Sequence, residues 1–284
     1  MLVDEAHTAS AESTREFIDS LDAKIKVGCS GTLPREKYAR WQLLGMFGKV
    51  VHKVNITDLQ EHGFISNVDI TLVKVRSKCV DADKSLLFSL NTRIKFNAEA
   101  VDAGESDVMF NDAYNAEKEY FNKYYKDLYK PVFEYLIGLK SNTLMLFDRI
   151  DIGTGLYEYA KELYANKNVF YIDGSVKVQD REAIRSAFEK SDGNLLIAQN
   201  AVMSTGVNIK RLTNLVFLTS SKSFVRTIQS IGRTLRLHSS KDKAHIIDLS
   251  WNTKYSQKHL VERLKIYKQM YGKKPNKVVE LEID

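Results

Sequence analysis

Two arginines and a glutamine near the carboxyl end of the sequence have a spacing that suits a phosphate ligand. Gln229, Arg233 and Arg236 stand at i, i+4 and i+7, so on a helix they share one face while apolar residues occupy the other. A guanidinium is permanently charged and can bond phosphate oxygens through two N–H groups at once. The pattern therefore predicts a helix with the planar guanidinium groups of Arg233 and Arg236 on one exposed face. The alternative is a basic helix face exposed only to water.

Two adjacent carboxylates follow a short apolar run at the start of the sequence. Met1-Leu2-Val3 is predicted to be the end of a buried strand, which places Asp4 and Glu5 where a parallel strand passes into its loop. In open α/β sheets, ligands bind beyond the carboxyl ends of the strands. One carboxylate there can hold Mg²⁺ through water while its neighbour orients or deprotonates an attacking water, as phosphoryl transfer requires. The alternative is that one of the two acids caps the helix that follows.

Three further loops that follow apolar runs carry hydroxyl groups and a glycine. Ser30-Gly31-Thr32 comes after the predicted strand 25–27, and Asp173-Gly174-Ser175 and Ser204-Thr205-Gly206 come after later strands. Hydroxyls and free backbone N–H groups are common partners of the nucleic-acid backbone. For Ser30-Gly31-Thr32, the alternative is an ordinary entry into the helix that begins near Pro34.

The elements around these loops alternate between strand and helix. From residue 143 onward, strands alternate with helices of ~10–15 residues, which is typical of a parallel sheet covered on both faces. A strand at 70–75 begins this part of the chain. The later strands are predicted at 144–147, 169–172, 195–198, 215–218 and 244–249, and the helices at 155–166, at 181–189 and around Gln229.

Composition bounds the class of protein. The chain has 284 residues, enough for one α/β domain and roughly half of another. With 44% hydrophobic and 27% charged residues it is expected to be a folded, water-soluble protein, and its net charge of +6 is compatible with a polyanionic partner. Cys29 and Cys79 lack the spacing of a zinc site or a disulfide framework. Neither a membrane span nor a signal peptide is evident, so a cytoplasmic location is expected.

In this order, the blocks resemble motifs II, III, V and VI of superfamily 2 helicases. The four matching segments are Asp4-Glu5-Ala6-His7, Ser30-Gly31-Thr32, Ser204-Thr205-Gly206-Val207-Asn208 and the QxxGRxxR pattern from Gln229 to Arg236. The sequence also resembles phage UvsW-type recombination and branch-migration helicases through Gly45-Met46-Phe47-Gly48, residues 229–238 and the tail around 258–267. The likeness covers nearly the whole chain.

This resemblance implies a fold and a division into parts. The expected fold is α/β, a RecA-like parallel sheet with helices on both faces, preceded by a remnant of a first RecA-like domain. Residues 1–60 are expected to hold that remnant and a linker, 61–250 the second RecA-like domain, and 251–284 a basic tail that either packs or extends a DNA track. Within 84–141 a mostly helical segment is expected. Its aromatic residues, Tyr129 and Phe133 among them, are expected in the core, and a base-stacking platform is the alternative.

The resemblance also implies roles for single residues, ATP and Mg²⁺ as cofactors, and DNA as partner. The DNA is expected to be branched or double-stranded, with RNA left open. Asn208 stands where family members often carry aspartate, so a carboxylate role is lost there while an amide can still bond a ribose hydroxyl. The implied roles are Mg²⁺ coordination by Asp4, catalysis by Glu5, Arg233 and Arg236, nucleotide contacts by Asp4, His7, Gly206, Asn208 and Gln229, DNA contacts by Ser204 and Thr205, and coupling by Ser30 and Thr32.

One sequence motif that superfamily 2 helicases need is missing from the sequence. Superfamily 2 enzymes carry a phosphate-cradling loop that ends in Gly-Lys-Ser or Gly-Lys-Thr. The two Gly-Lys pairs here, Gly48-Lys49 and Gly272-Lys273, are followed by neither serine nor threonine. The sequence is therefore expected to be the carboxy-terminal portion of an ATP-dependent helicase, inactive alone, whose partner is an amino-terminal helicase half. The alternative is an ATP-independent nucleic-acid-binding or interaction module.

Overall fold

Strands and helices alternate along most of the chain in the computed structural model. The structure describes residues 1–31, 33–34, 36–77, 125–164, 168–203, 209–218, 237, 243–272 and 274–283. Contacts divide the chain into an amino-terminal unit, Met1–Asn55, and a carboxy-terminal unit, Ile56–Asp284. The boundary falls near the end of the stretch 1–60, in which the sequence analysis expects a domain remnant and a linker.

The elements of the amino-terminal unit are β1 (Leu2–Val3), a 3-10 helix (Ala6–Ser10), α1 (Glu12–Ser20), β2 (Val27–Gly28) and α2 (Lys37–Phe47). Those of the carboxy-terminal unit are α3 (Ile56–Glu61), β3 (Asn67–Ser77), α4 (Tyr125–Ile137), β4 (Thr143–Phe147), α5 (Ile150–Leu163), β5 (Val169–Ile172), α6 (Val178–Phe188), β6 (Leu195–Gln199), α7 (Asn200–Met203), β7 (Asn214–Phe217), β8 (Lys243–Trp251), α8 (Lys254–Tyr271) and β9 (Lys277–Ile283).

The carboxy-terminal unit is built on a seven-stranded sheet in the order β5-β6-β4-β7-β8-β3-β9. Every strand pair in it is parallel. Strands in the middle of a parallel sheet are covered on both faces, so they read as continuous apolar runs instead of alternating ones. Accordingly, all five residues of β4 and all four of β7 are buried.

Helices cover both faces of this sheet. Met145 and Phe147 of β4 face one core cluster together with residues of α4 and α5, while Leu144 and Leu146 face a second cluster that includes residues of α6 and α8. The predicted α/β fold with a RecA-like parallel sheet is confirmed. Tyr129 and Phe133 are buried in the first cluster, so their predicted place in the core is also confirmed.

After β8 the chain adds a helix that packs on the sheet and a strand that extends it. Helix α8 packs with Tyr267 fully buried, Leu260 nearly so and Leu264 against the second cluster, so the predicted inward placement of these three residues is confirmed. Strand β9, which the sequence analysis did not predict, then pairs with β3. Asn276, just before β9, positions the start of that strand against β3. Its backbone N–H donates to Ile70 O and its side-chain Oδ1 accepts from Ile70 N–H, both at 2.8 Å.

A buried ion pair attaches α8 to the sheet. Arg263 donates from Nε and one terminal nitrogen to both carboxylate oxygens of Asp248 at 2.7–3.0 Å, and both side chains are 1% exposed. The hydroxyl of Tyr267 donates to Asp248 Oδ2 at 2.7 Å. Burial and the adjacent carboxylate raise the pKa of Tyr267 well above its ordinary value. The three side chains therefore hold α8 over β8 in one register.

We predict that Asp248→Ala destabilises the protein by about 3–5 kcal/mol, because it leaves the Arg263 guanidinium buried without its partner. Urea unfolding at neutral pH measures the change. The control is Glu262→Ala on the same helix, which removes a partly exposed pair with Lys265 and should cost less than about 1 kcal/mol. Equal effects of the two substitutions would contradict the anchoring role of Asp248.

The amino-terminal unit has a small parallel sheet with helices on one face. Its two strands pair with Leu2 opposite Val27 and Val3 opposite Gly28. Val3 packs on a cluster formed by Ala9, Ile18 and Leu43 of the surrounding helices.

The other face of this sheet is open, which corrects the prediction that residues 1–3 form a buried strand. Leu2 and Ile25 are each 71% exposed, and Val27 is 43% exposed. Side chains alternate between the faces of a strand, so the face opposite Val3 carries Leu2 and Val27. Within the described part of the chain, no layer buries these apolar side chains.

Candidate functional site

The turn after β1 holds Glu5 in a rare backbone conformation. Glu5 has φ 49° and ψ 42°, and it is the only non-glycine residue with positive φ among those described. Its N–H donates to Asp4 Oδ1 at 2.8 Å, and the next N–H, that of Ala6, donates to Cys29 O at 2.9 Å. Such a conformation costs about 1–3 kcal/mol and is concentrated at functional sites. The turn therefore fixes two adjacent carboxylates at the carboxyl end of a parallel strand.

His7 connects this turn to the loop after β2. Its Nδ1 lies 2.9 Å from Ser30 Oγ and 3.2 Å from Glu5 Oε2. The His7 side chain is largely buried, whereas that of Glu5 is 53% exposed. Gly28 permits the close approach, since a Cβ there would lie 2.9 Å from the Cβ of Ala6. The structure thus brings together Glu5, His7 and Ser30, which the sequence analysis placed in two separate motifs.

Asp4 is suited to a metal that is bound mainly by a nucleotide. It is exposed, and only its Oδ1 is used, by the Glu5 N–H, within the described part of the chain. Groups of three or more His, Cys, Asp or Glu side chains that could form a metal cage are absent from the described residues. Mg²⁺ in nucleotide enzymes takes one or two carboxylates together with phosphate oxygens and waters. One accessible carboxylate fits that mode of binding.

The other predicted site residues lie outside the described residues. They are Thr32, Ser204, Thr205, Gly206, Asn208, Gln229, Arg233 and Arg236.

In the carboxy-terminal unit, the loop after β5 is closed by its own hydrogen bonds. Ser175 donates to Asp173 Oδ1 from its N–H at 2.8 Å and from its hydroxyl at 2.6 Å. The N–H of Gly174 donates to Gln199 Oε1 at 3.0 Å. The expectation that this loop offers free N–H groups and a free hydroxyl to a nucleic-acid backbone is therefore wrong. The short loop satisfies its own donors because Asp173 follows the strand directly.

Two residues that the sequence analysis did not identify lie at the same edge of the sheet. Gln199 ends β6, and Asn200 follows it. Asn200 is 3% exposed and donates from Nδ2 to Asp148 Oδ1 at 3.3 Å, while its own buried Oδ1 accepts no hydrogen bond within the described residues. Their position after a buried strand was the available signal.

The carboxylate of Asp173 stabilises its loop. Burial opposes its ionisation, but hydrogen bonds from Ser175 and Tyr171 outweigh burial, so the pKa of Asp173 lies below its ordinary value. Stability from a lowered carboxyl pKa is fully present above the unfolded-state value, about 3.9, and is lost as the pH falls through the folded-state value.

We predict that Asp173→Ala lowers the free energy of unfolding by about 1.5–3 kcal/mol at pH 7, because hydrogen bonds to a charged acceptor are lost. The difference from wild type should shrink below about pH 4, where the carboxylate becomes protonated. Denaturant unfolding at both pH values measures it. As a control, the exposed Asp180 at the start of α6 can be replaced by alanine, with an effect below about 1 kcal/mol expected. A pH-independent difference for Asp173→Ala would refute the charged role.

Comparison with known proteins identifies relatives of the chain. Residues 131–238 match the family model for the helicase conserved C-terminal domain. The chain is 25% identical over 295 residues to the ATP-dependent DNA helicase UvsW of Enterobacteria phage T4, an alignment that covers 94% of this chain and 52% of that protein. The chain therefore spans about half the length of this relative.

Solved structures share the fold. The crystal structure of T4 UvsW matches with a TM-score of 0.52 and 23% identity, over 99% of this chain and 53% of that one. Dbp5 of S. cerevisiae, bound to RNA and ADP BeF3, matches with a TM-score of 0.55 and 14% identity, over 100% of this chain and 59% of that one. None of the described helices is long and apolar enough to cross a membrane.

Proposed function

From the premise that the chain carries the carboxy-terminal domain of a superfamily 2 helicase and is a distant homologue of UvsW, we propose that it is the carboxy-terminal portion of an ATP-dependent DNA helicase or translocase. Its work would be to couple ATP hydrolysis to the unwinding or branch migration of DNA in recombination, repair or replication. A phage origin and a site of action in the host cytoplasm accompany this proposal.

The observation that carries the proposal is the contact of His7 with both Glu5 and Ser30. Glu5 belongs to the turn where hydrolysis would occur, and Ser30 belongs to a different loop. A change in the position of the Glu5 carboxylate therefore acts directly on the His7 ring and through it on Ser30. Such a connection is what coupling between hydrolysis and movement of a second element needs.

We assign each of five residues a role in ATP hydrolysis. Bound Mg²⁺ neutralises charge that develops on the phosphates, and Asp4 is the carboxylate that would hold it. Glu5, exposed and next to His7, would orient the attacking water and accept its proton. His7 would keep the Glu5 carboxylate in place. Arg233 and Arg236 would donate to the phosphate oxygens that gain charge in the transition state.

The proposal extends to the nucleic-acid and nucleotide contacts. We assign phosphate contacts to Ser204 and Thr205 and nucleotide contacts to Gly206, Asn208 and Gln229. Thr32 would assist Ser30 in coupling.

A partner that completes the amino-terminal unit is part of the proposal. All-parallel sheets occur almost only with both faces covered, and here Leu2, Ile25 and Val27 leave one face of a parallel sheet exposed. An amino-terminal helicase half would cover that face with α/β structure. It would also supply the phosphate-binding loop whose Gly-Lys-Ser or Gly-Lys-Thr signature the sequence lacks.

A second candidate function is an ATP-independent nucleic-acid-binding module. The lack of that signature in the sequence favours it for the chain alone. The two functions differ in ATP turnover after the chain is mixed with an amino-terminal helicase half.

We predict that the chain alone has no DNA-stimulated ATPase activity and that mixing it with the amino-terminal half of T4 UvsW restores it. In that mixture Glu5→Gln should lower turnover by about 10²–10⁴-fold, the usual contribution of a general base. DNA-dependent phosphate release measures the rate.

The matched control is Glu16→Gln on α1, which makes the same chemical change at another exposed glutamate and should leave the rate unchanged. Thermal melting of both variants checks the fold. Near-normal turnover of Glu5→Gln in an active mixture would refute the assignment of Glu5. An inactive wild-type mixture would instead favour the ATP-independent module.

A further inference from the structure

Several donors at the described carboxyl edge of the seven-stranded sheet are already used within the chain. The N–H groups of Gly174 and Ser175 are used within the chain, and the guanidinium of Arg149 binds the carboxylate of Asp151 at 2.6 and 3.0 Å. Asp148 and Asp173 add negative charge at the same edge. A polyanion that approaches this edge meets the exposed Lys177 there, and further cationic contacts would come from a neighbouring element.

Helix α8 has such partners on its exposed face. Its exposed lysines are Lys258, Lys265 and Lys268, and Val261 lies among them on the same face. At 100° per residue, these four positions span about 80° of the helix circumference. The helix contains one acidic residue, Glu262, whose carboxylate binds Lys265 at 2.7 Å. We call Lys258, Lys265 and Lys268 the lysine face.

The opposite side of α8 holds the lysine face in a fixed orientation. Arg263 and Tyr267 bind the buried carboxylate of Asp248, and Ile266 and Tyr271 are buried on the same side. Ser256 accepts the N–H of Trp251 at 3.0 Å, which ties the first turn of α8 to the end of β8. The lysines are therefore not needed for packing, and the helix that carries them cannot rotate freely.

The direction of α8 relates the lysine face to the carboxyl edge of the seven-stranded sheet. The helix begins three residues after β8 ends, so its first turns lie at the carboxyl edge of the sheet, where β4, β5 and β6 also end. Lys258 is closest to that edge, and Lys268 lies about 15 Å further along the helix, at 1.5 Å per residue. A duplex carries one phosphate per strand about every 3.4 Å of its axis, so the three lysines can meet several phosphates along one strand.

We propose that the lysine face of α8 is a second nucleic-acid contact, which binds the phosphate backbone of duplex DNA next to the carboxyl edge of the sheet. Helix α8 lies outside residues 131–238, the part that matches the helicase family. The contact is independent of base sequence, because an ammonium group reads charge only. The inference rests on the proposed function, since it requires that the chain binds nucleic acid.

The test compares two triple variants of the full chain. Lys258→Gln, Lys265→Gln and Lys268→Gln together remove the lysine face. Lys140→Gln, Lys190→Gln and Lys210→Gln together remove the same charge from exposed lysines that precede β4, β6 and β7, at the opposite edge of the sheet. Fluorescence anisotropy with a mixed-sequence DNA duplex over a salt series gives the slope of log K against log salt for each protein.

We expect the lysine-face variant to lose about 2–3 units of that slope, since each neutralised phosphate contributes about 0.9, and the control variant to keep the wild-type slope. Each single lysine-face substitution should lower the slope by about 0.9. Unchanged melting temperatures establish that the variants are folded. Equal loss of slope in both triple variants, or no loss in the lysine-face variant, would overturn the contact. Absence of any DNA binding by the wild-type chain would overturn the proposed function as well.

Discussion

All-parallel sheets occur almost only with both of their faces covered, and this constraint applies to both units of the chain. In the carboxy-terminal unit the constraint is met. Helices α4 and α5 cover one face and α6 and α8 the other, and the Asp248–Arg263 pair fixes α8 in place. In the amino-terminal unit one helical layer covers a two-stranded parallel sheet, and Leu2 and Ile25 stay exposed on its other face. The proposed amino-terminal partner would cover the open face of the first unit.

The candidate site depends on the same edge geometry. Strands of a parallel sheet bring their following loops to one edge, so Glu5 and Ser30 both contact His7 although they belong to different loops. The strained Glu5 backbone and the His7 contact then set the position of the carboxylates. In the carboxy-terminal unit, the Gly174 and Ser175 N–H groups at this edge are used within the chain.

Much of the fold was predictable from the sequence because buried parallel strands are continuous apolar runs. Thr143–Phe147 and Leu195–Gln199 are of this kind. Strand β9 was missed because Lys277, Glu280 and Glu282 interrupt its apolar residues, as is common at a sheet edge. The exposure of Leu2 was missed because an apolar run does not reveal which neighbours cover it.

The site was predictable only in part. Asp4, Glu5, His7 and Ser30 were identified by motif, but the contact of His7 with Ser30 depends on how closely the 3-10 helix approaches β2 at Gly28, which spacing cannot give. Residue type suggested that Gly174 and Ser175 offer donors. Their hydrogen bonds to Gln199 and Asp173 depend on the tertiary structure and remove those donors.

The central claim, that the open face of the β1–β2 sheet is completed by an amino-terminal helicase half, can be measured directly by sedimentation velocity. A mixture of the chain with the amino-terminal half of T4 UvsW is predicted to form a one-to-one complex. Ile25→Asp, on the open face, should abolish the complex, whereas Val178→Asp, an equally exposed position on α6, should not. Absence of a complex, or a complex equally strong with Ile25→Asp, would contradict this account.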